Sequence, residues 1–422
     1  MRRFVSVIAT KEYLDQRSGP PCNTEPRSAP LRVCMITYSF YETDNRVMRY
    51  AETLAQRGDH VDVLALRRDG MPREETLNNV NVLRLQGREL NEKGRFSYLA
   101  RIVQFLFRSM YEVSARHLHQ KYDFVHVHSV PDFLVFAAWL PRISGTPVVL
   151  DIHDILPEFY NSKFGATSNS ATFRFLQGVE KVSGRFSGHV IVANHIWQER
   201  LLSRSLEPGK CTVVLNSPDR SIFKKQGSRP ARQGRFSLLY PGSINWHQGL
   251  DLAIRAFGRI ASQAPYADFH IYGEGPLKRD LVALVKELNL ENRVLFHKPV
   301  ALREMAKIIE AADLGIVPKR SDNFGNEAFS TKILEFMAVG VPVLVADTLV
   351  DKYYFDDSVV RFFQAGNEED LARCMLELIQ NPDGRRLQAE QATRFIDKND
   401  WTSRKHEYLD LVDGMVAAQA SR

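Results

Sequence analysis

Two glutamates, Glu327 and Glu335, flank a hydroxyl-rich helix start and a lysine in the stretch Asn326–Val345, NEAFSTKILEFMAVGVPVLV. The stretch reads as loop, helix, turn and buried strand. Ser330 is of the type that caps a helix, its hydroxyl accepting a bond from a first-turn amide. Ile333, Leu334 and Met337 make an apolar helix face by 3–4 spacing. Gly340 can take the left-handed conformation that ends a helix. Val341–Val345 is the β-branched run of a strand buried on both faces. Thr331, Lys332 and Glu335 then share a face away from the core. In outline this is an anion site. A helix N-terminus offers N–H groups and partial positive charge, and Lys332 adds a full charge where the macrodipole favours a cation only beside an anion. Glu335, one turn deeper, could accept bonds from hydroxyls, and Glu327 could face the same cleft. The competing reading is an exposed Lys332–Glu335 pair on an ordinary helix.

The elements that must position this stretch alternate strand and helix. Strands are expected at Leu31–Thr37, Val61–Leu66, Val80–Leu85, Asp123–His128, Pro147–Ile152, His189–Ala193 and Cys211–Leu215. Helices are expected at Asp44–Arg57, Arg95–His119, Phe133–Ser144, Phe173–Arg185 and His195–Ser205. That alternation means a parallel sheet with right-handed crossovers. A second alternation begins at Phe236–Tyr240 and ends in helices from Glu368 onward. Polar residues just past buried parallel strands lie where open α/β sheets bind ligands. In the first half these are His128, His153, Asp154 and Glu158. In the second they follow Tyr240, Tyr272 and Val317. The expected organisation is a flexible N-terminal extension 1–30, a domain 31–220, a linker 221–234, a domain 235–400, and a C-terminal helix 401–422 packing back toward the first domain.

The 422 residues carry a formal charge of +6, which suits anionic ligands or an anionic membrane surface and is too weak to indicate nucleic acid. Four scattered cysteines without a CxxC pair read as reduced structural thiols of a cytoplasmic protein, not zinc ligands. No apolar run approaches the ~18 residues of a membrane span, and the apolar core Phe4–Ala9 is too short for a signal peptide. The expected helix Arg95–His119 carries Arg95, Arg101, Arg108 and Arg116 on roughly one side, a pattern able to lie on anionic lipid.

The chain resembles the GT-B-fold retaining glycosyltransferases of family 4, particularly the bacterial group that builds surface polysaccharides. The stretches that carry the likeness are Asp44-Asn-Arg-Val47, His126–Phe133, Asp151-Ile-His-Asp154 with Pro157–Tyr160, Asn216–Asp219, Gly242…Gly249-Leu-Asp-Leu-Ala253, Tyr272–Gly275, Asp313…Pro318 and Glu327-x7-Glu335. The resemblance implies an α/β fold of two Rossmann-like parallel-sheet domains facing across a cleft. It implies an NDP-sugar donor bound mainly by the second domain, and a glycan or polyprenyl-linked acceptor bound mainly by the first. Glu335 would hold the ribose hydroxyls, Glu327 would approach the anomeric carbon, and amides around Phe329, Ser330 and Thr331 would take the distal phosphate. His153 fits the family histidine near the donor sugar. Gly242 and Gly273 would lie on the donor side, and Asn45, Arg46, His128, Asp154 and Glu158 on the acceptor side. The catalytic group would be Glu327, His153 and Lys332. No catalytic metal and no cofactor are implied, and Asp356-Asp357 is a weak metal motif. Placement is expected to be cytoplasmic, peripheral at the inner face of the membrane.

Two departures stand out. Many members carry an arginine and a lysine in the loop after Gly242, where this chain has Ser243 and Gln248. Lys319, Arg320 and Lys332 are the nearby substitutes, with His247 a weaker one. The family's glycine-rich loop after the first strand is replaced by Tyr38–Glu42. A catalytically silent GT-B protein that binds sugar nucleotide or partners in a glycan-assembly complex is therefore the alternative. A nicotinamide dehydrogenase is disfavoured, because no strand leads into Gly-x-Gly-x-x-Gly.

Overall fold

The structure is a computed structural model that describes residues 29–88, 95–164, 170–225, 227, 234–322 and 324–421. Nearly all of the expected extension 1–30 and much of the linker 221–234, together with Cys22, lie outside the described residues. The chain separates into two compact units. Among the described residues, one holds 29–216 together with 405–421; the other holds Ser217–Arg404.

The first unit contains β1 (Arg32–Thr37), α1 (Asn45–Arg57), β2 (His60–Arg67), β3 (Glu74–Leu77), β4 (Val80–Gly87), α2 (Arg95–His119) and β5 (Phe124–His128). It continues with α3 (Trp139–Ile143), β6 (Val148–Ile152), α4 (Leu156–Phe164), α5 (Ala171–Phe186), β7 (His189–Val192), α6 (His195–Arg204) and β8 (Cys211–Val213). The sheet order is β3-β4-β2-β1-β5-β6-β7-β8, parallel except for β3. Order reverses beside β1, so the carboxyl ends of β1 and β5 flank the topological switch point where such sheets bind ligands. Helix α1 starts where the Asp44 carboxylate accepts from the Val47 amide at 3.2 Å and stops at Gly58, φ 105°.

Three differences from the sequence expectation have physical causes. The helix expected over Phe133–Ser144 is a 3-10 run, Asp132–Ala138, followed by the short α3. An unbroken α-helix would put Pro141 in its interior, where proline removes a bond and clashes with the preceding turn; restarting at Trp139 leaves it in the first turn. Strand β3 is a polar edge strand without apolar alternation. Its hairpin to β4 turns on Asn78 and Asn79, both at positive φ, the backbone of a two-residue hairpin turn. Helix α4, with Pro157 and Glu158 in its first turn, extends a segment that had read only as a sheet-edge loop.

The second unit contains β9 (Phe236–Pro241), α7 (Leu250–Ile260), β10 (Ala267–Tyr272), α8 (Lys278–Glu287), β11 (Val294–His297), α9 (Leu302–Glu310) and β12 (Leu314–Val317). Then come α10 (Thr331–Ala338), β13 (Val343–Ala346), α11 (Leu349–Tyr354), β14 (Arg361–Phe363), α12 (Glu368–Gln380) and α13 (Pro382–Asn399). The all-parallel order β11-β10-β9-β12-β13-β14 reverses between β9 and β12. Its core packs Leu238, Ile254, Phe257, Phe269, Ile316 and Leu344 with Leu371 and Met375. Ile333, Leu334 and Met337 are buried as their spacing requires, and Gly340 has φ 70°. The last helix, α14 (Trp401–Ala420), begins in the second unit and from Lys405 onward belongs to the first. There the Tyr408 hydroxyl lies 3.0 Å from His126 Nδ1 and Asp413 pairs with Arg57 at 2.9 Å.

Cys34, Cys211 and Cys374 are buried free thiols. No helix among the described residues is long and apolar enough to cross a membrane.

Candidate functional site

At the switch point of the second unit, the loops after β9, β10 and β12 are knitted by backbone bonds. Gly242 N donates to Tyr272 O at 2.8 Å, Ile244 N to Glu274 O at 2.9 Å, and Arg320 N to His247 O at 2.9 Å. Gly242 has φ 146°, and a Cβ there would come within 2.3 Å of Lys332 Cε. The lysine stem therefore lies directly on this backbone. Gly273 approaches equally closely: a Cβ on it would reach 1.8 Å from Gly242 O.

Lys332 sits in the first turn of α10, half-buried, its Nζ 3.4 Å from Gln248 Oε1 and 5.3 Å from the Tyr240 ring centroid. The Tyr240 hydroxyl fixes that loop by donating to Gln248 Oε1 at 3.0 Å or to Ser243 O at 2.8 Å. Burial pushes the Lys332 ammonium down to about 8, against the pull of Glu335; Lys319 lowers it further and Asp351 opposes. The other two substitute cations are engaged. Lys319 is buried, 2.7 Å from Asp351 and bonded to Ala328 O at 2.8 Å. Arg320 pairs with Asp251 at 2.5 Å and stacks 3.7 Å over the Trp246 ring. Among the described residues, Lys332 alone of the three has no carboxylate within ion-pair distance. His247, whose imidazole burial pushes below its ordinary range, packs edge-on against Phe324.

Ser330 occupies the N-cap position with extended backbone, but its hydroxyl makes no capping bond, and Oγ is buried with no partner among the described residues. The expected cap is therefore corrected: the first-turn amides of α10 receive no side-chain acceptor from Ser330. Thr331 and Glu335 are half-buried on the face that Lys332 occupies. Glu327 is 7% exposed and lies in a turn held from two sides, by Lys319 on Ala328 O and by Val350 N donating to Asn326 O at 3.0 Å. Phe329 packs against Tyr354 and Phe355, centroids 4.9 and 5.9 Å away. The geometry thus assembles an uncapped helix start, a cation and two carboxyl residues beside the carboxyl ends of β9 and β12.

The first unit holds a second cluster, at the ends of β5 and β6. Asp151 is fully buried, and the Arg46 guanidinium meets both its oxygens at 2.8 Å. His153 Nε2 lies 3.0 Å and His128 Nδ1 3.3 Å from Asp151 Oδ2. His126, His128 and Asp151 place ligand atoms within 4.8 Å of one another, but the donor set does not suit a divalent metal, because both carboxylate oxygens already bind a guanidinium. Asn45 opens α1 and is half-buried; Asp154 is half-buried and burial raises its carboxyl. Glu158 stands apart: Arg204 binds its two oxygens at 2.5 and 3.0 Å, and Arg204 also binds Glu180. This placement makes Glu158 a structural residue. Glu158→Ala should lower unfolding free energy by about 2–3 kcal/mol, since Arg204 keeps one partner; a urea melt checks it.

Sequence reasoning missed Asp151 and Asp351 as site residues. The signal for Asp151 was present. A carboxylate inside the buried run Val148–Ile152 must find a cation, and Arg46 in the Asp44–Val47 motif supplies it. Asp351 gives no such signal, because a helix-borne aspartate is ordinarily solvated.

Known proteins resemble the chain on both units. The description "Glycosyl transferase 4-like domain" matches residues 43–217, and "Glycosyl transferases group 1" matches residues 221–395. D-inositol 3-phosphate glycosyltransferase of Kineococcus radiotolerans is 27% identical over 323 residues, 71% of each chain. Sucrose-phosphate synthase of Thermosynechococcus elongatus superposes with a TM-score of 0.77 at 18% identity, covering 92% of this chain and all of that one. HepE of Anabaena, solved with UDP and glucose, gives 0.70 at 17% identity over 91% of this chain and 100% of its own. With consecutive matches running through both Rossmann-like units, the chain belongs to the group 1 glycosyltransferases and has the α/β GT-B fold.

Proposed function

We propose that this glycosyltransferase moves a sugar from an NDP-sugar, with retention of anomeric configuration and without a catalytic metal, to a glycan or polyprenyl-linked acceptor in polysaccharide assembly. The observation that carries the reading is Lys332, a cation without a carboxylate partner among the described residues, at a helix start that its own serine does not cap. Glycosyl transfer breaks the bond between the anomeric carbon and a diphosphate oxygen, and the charge that develops there needs fixed donors. Lys332 and the amides of Phe329, Ser330 and Thr331 supply them. Glu335 holds the ribose hydroxyls, Glu327 approaches the anomeric carbon, and His153 meets the transferred sugar. UDP bound by the structurally similar HepE supports a nucleotide-sugar donor. Turnover on a panel of NDP-sugars, with and without EDTA, tests the reading. The acceptors should include inositol phosphate, which the Kineococcus relative's name specifies. Donor binding without transfer or donor hydrolysis would instead identify the silent alternative.

The membrane part of the proposal places the protein in the cytoplasm, peripheral at the inner membrane face. It rests on α2, on exposed apolar side chains together with Arg108 rather than on all four arginines of the spacing. Arg116 is held by Glu112 at 2.8 Å and Glu74 at 3.3 Å. The exposed residues include Leu99, Phe107, Tyr111 and Leu118, at 51, 61, 75 and 75%. Arg108 and the exposed Arg67 and Arg73 line a recess beside Phe107 and Tyr111. Apolar side chains beside cations match an anionic bilayer surface. Replacing Phe107 and Tyr111 by serine should reduce co-sedimentation with anionic vesicles more than neutralising Arg101 and Arg108 does. Unchanged sedimentation of both variants removes the membrane contact.

A further inference from the structure

A carboxylate within a parallel sheet carries a heavy desolvation cost. At Asp151 that cost is met by a specific set of donors. Arg46 Nε reaches Oδ2 and Nη2 reaches Oδ1, each at 2.8 Å, while Nη1 donates to Val214 O at 2.9 Å. Although burial pushes the Asp151 carboxyl up, the Arg46 guanidinium outweighs it and holds it well below the usual carboxylate range. Asp151 is therefore an anion and can only accept.

The three neighbouring imidazoles differ in one respect. His126 and His128 have fully buried side chains, whereas the His153 side chain is 20% exposed. His126 is turned toward Tyr408 through Nδ1. His153 faces the anion through Nε2, at 3.0 Å, and stacks edge-on to His128 with centroids 5.4 Å apart. A neutral imidazole carries one N–H, and an anion at Nε2 requires the proton there. The lone pair is then left on Nδ1. Arg46 belongs to the Asp44-Asn-Arg-Val47 segment because the cap by Asp44 fixes the first turn of α1 from which the guanidinium reaches β6.

We propose that Asp151, clamped by Arg46, is a positioning residue that holds His153 as the Nε2–H tautomer and presents its Nδ1 as acceptor to a hydroxyl of the substrate sugar. The inference deepens the proposed function and rests on its assignment of His153 to the sugar. Asp151 and Arg46 touch no substrate; they act through the ring.

The test uses the full chain with His153→Ala, Asp151→Asn and the pair combined. Asp151→Asn should lower kcat by about tenfold to a hundredfold, the size of effect that follows loss of a histidine-orienting partner, with donor KM changed less than about twofold. In the His153→Ala background the same substitution should cause no further loss. Nitrogen NMR of the imidazoles should show Nε2–H at His153 in the wild type and a tautomer mixture in Asp151→Asn. Equal losses in both backgrounds, or an unchanged tautomer, overturn the inference. If Asp151→Asn fails to fold, Arg46→Met combined with Asp151→Asn removes both charges and must show the same dependence on His153. Wild-type turnover by His153→Ala overturns the sugar contact in the proposed function, and the imidazole spectra then decide separately whether Asp151 sets the tautomer.

Discussion

Lys332→Ala is expected to reduce sugar transfer from an NDP-sugar by about 10²–10³-fold, the usual effect of removing one preorganised donor from a developing oxyanion. The fold should survive, because among the described residues Lys332 has no carboxylate within ion-pair distance to orphan. Its ammonium is already disfavoured by burial, which brings it down to about 8. Between about 8 and the ordinary lysine range the unfolded chain binds more protons than the folded one, so stability rises with pH there. Below about 8 the full penalty applies, and the alanine variant should be as stable as the wild type or more so. Diphosphate binding reverses the preference, because an anion favours the charged amine. Donor affinity should therefore fall as pH rises through about 8, and that slope should vanish in Lys332→Ala. Glu335→Ala should raise donor KM. Near-wild-type transfer by both variants, measured at pH 7, would remove the donor-site assignment.

The Lys332 cluster shows what the sequence can and cannot place. The 3–4 spacing of Ile333, Leu334 and Met337 fixes which side of α10 is buried, so Lys332 and Glu335 are necessarily brought to one face. The paired glutamates and the alternation of strands and helices were likewise legible, since each rests on local periodicity or motif spacing. Charge pairing was not. Lys319, Arg320 and Lys332 look equivalent as neighbouring cations, yet Asp351 and Asp251 take the first two. Those partners lie on other helices, where only tertiary packing brings them near. Ser330 illustrates the same boundary. Its type predicts a cap, and its backbone is extended as a cap requires, but the hydroxyl is buried and makes no bond to the first-turn amides. In the first unit the buried strand Val148–Ile152 was predictable, and so was the need for a counter-charge to Asp151. That Arg46 supplies it depends on β5 lying between β1 and β6 in the sheet, which no local pattern encodes.

Gly249→Ala should be the most damaging single methyl addition in the donor region. Gly249 has φ 66°, and an added Cβ would lie 2.0 Å from Pro318 O, a backbone atom at the end of β12. Two costs combine. The left-handed backbone costs a non-glycine residue about 1 kcal/mol, and the overlap forces the loops after β9 and β12 apart. Together they should destabilise the second unit by about 3 kcal/mol or more, in the range reserved for strain and overpacking. Gly366→Ala separates the two terms. Its φ is 82° but nothing lies within 4 Å of the added Cβ, so it should cost only about 1 kcal/mol. The functional consequence should also differ. Arg320 N bonds His247 O across the gap that Gly249 keeps closed, and Gln248, next in the chain, sets the position of Lys332 Nζ. Spreading the loops moves the cation from the diphosphate path, so donor KM should rise in Gly249→Ala and stay unchanged in Gly366→Ala. Urea unfolding and donor titration of the two variants check both terms; equal effects would show that the contact between Gly249 and Pro318 yields without moving Lys332.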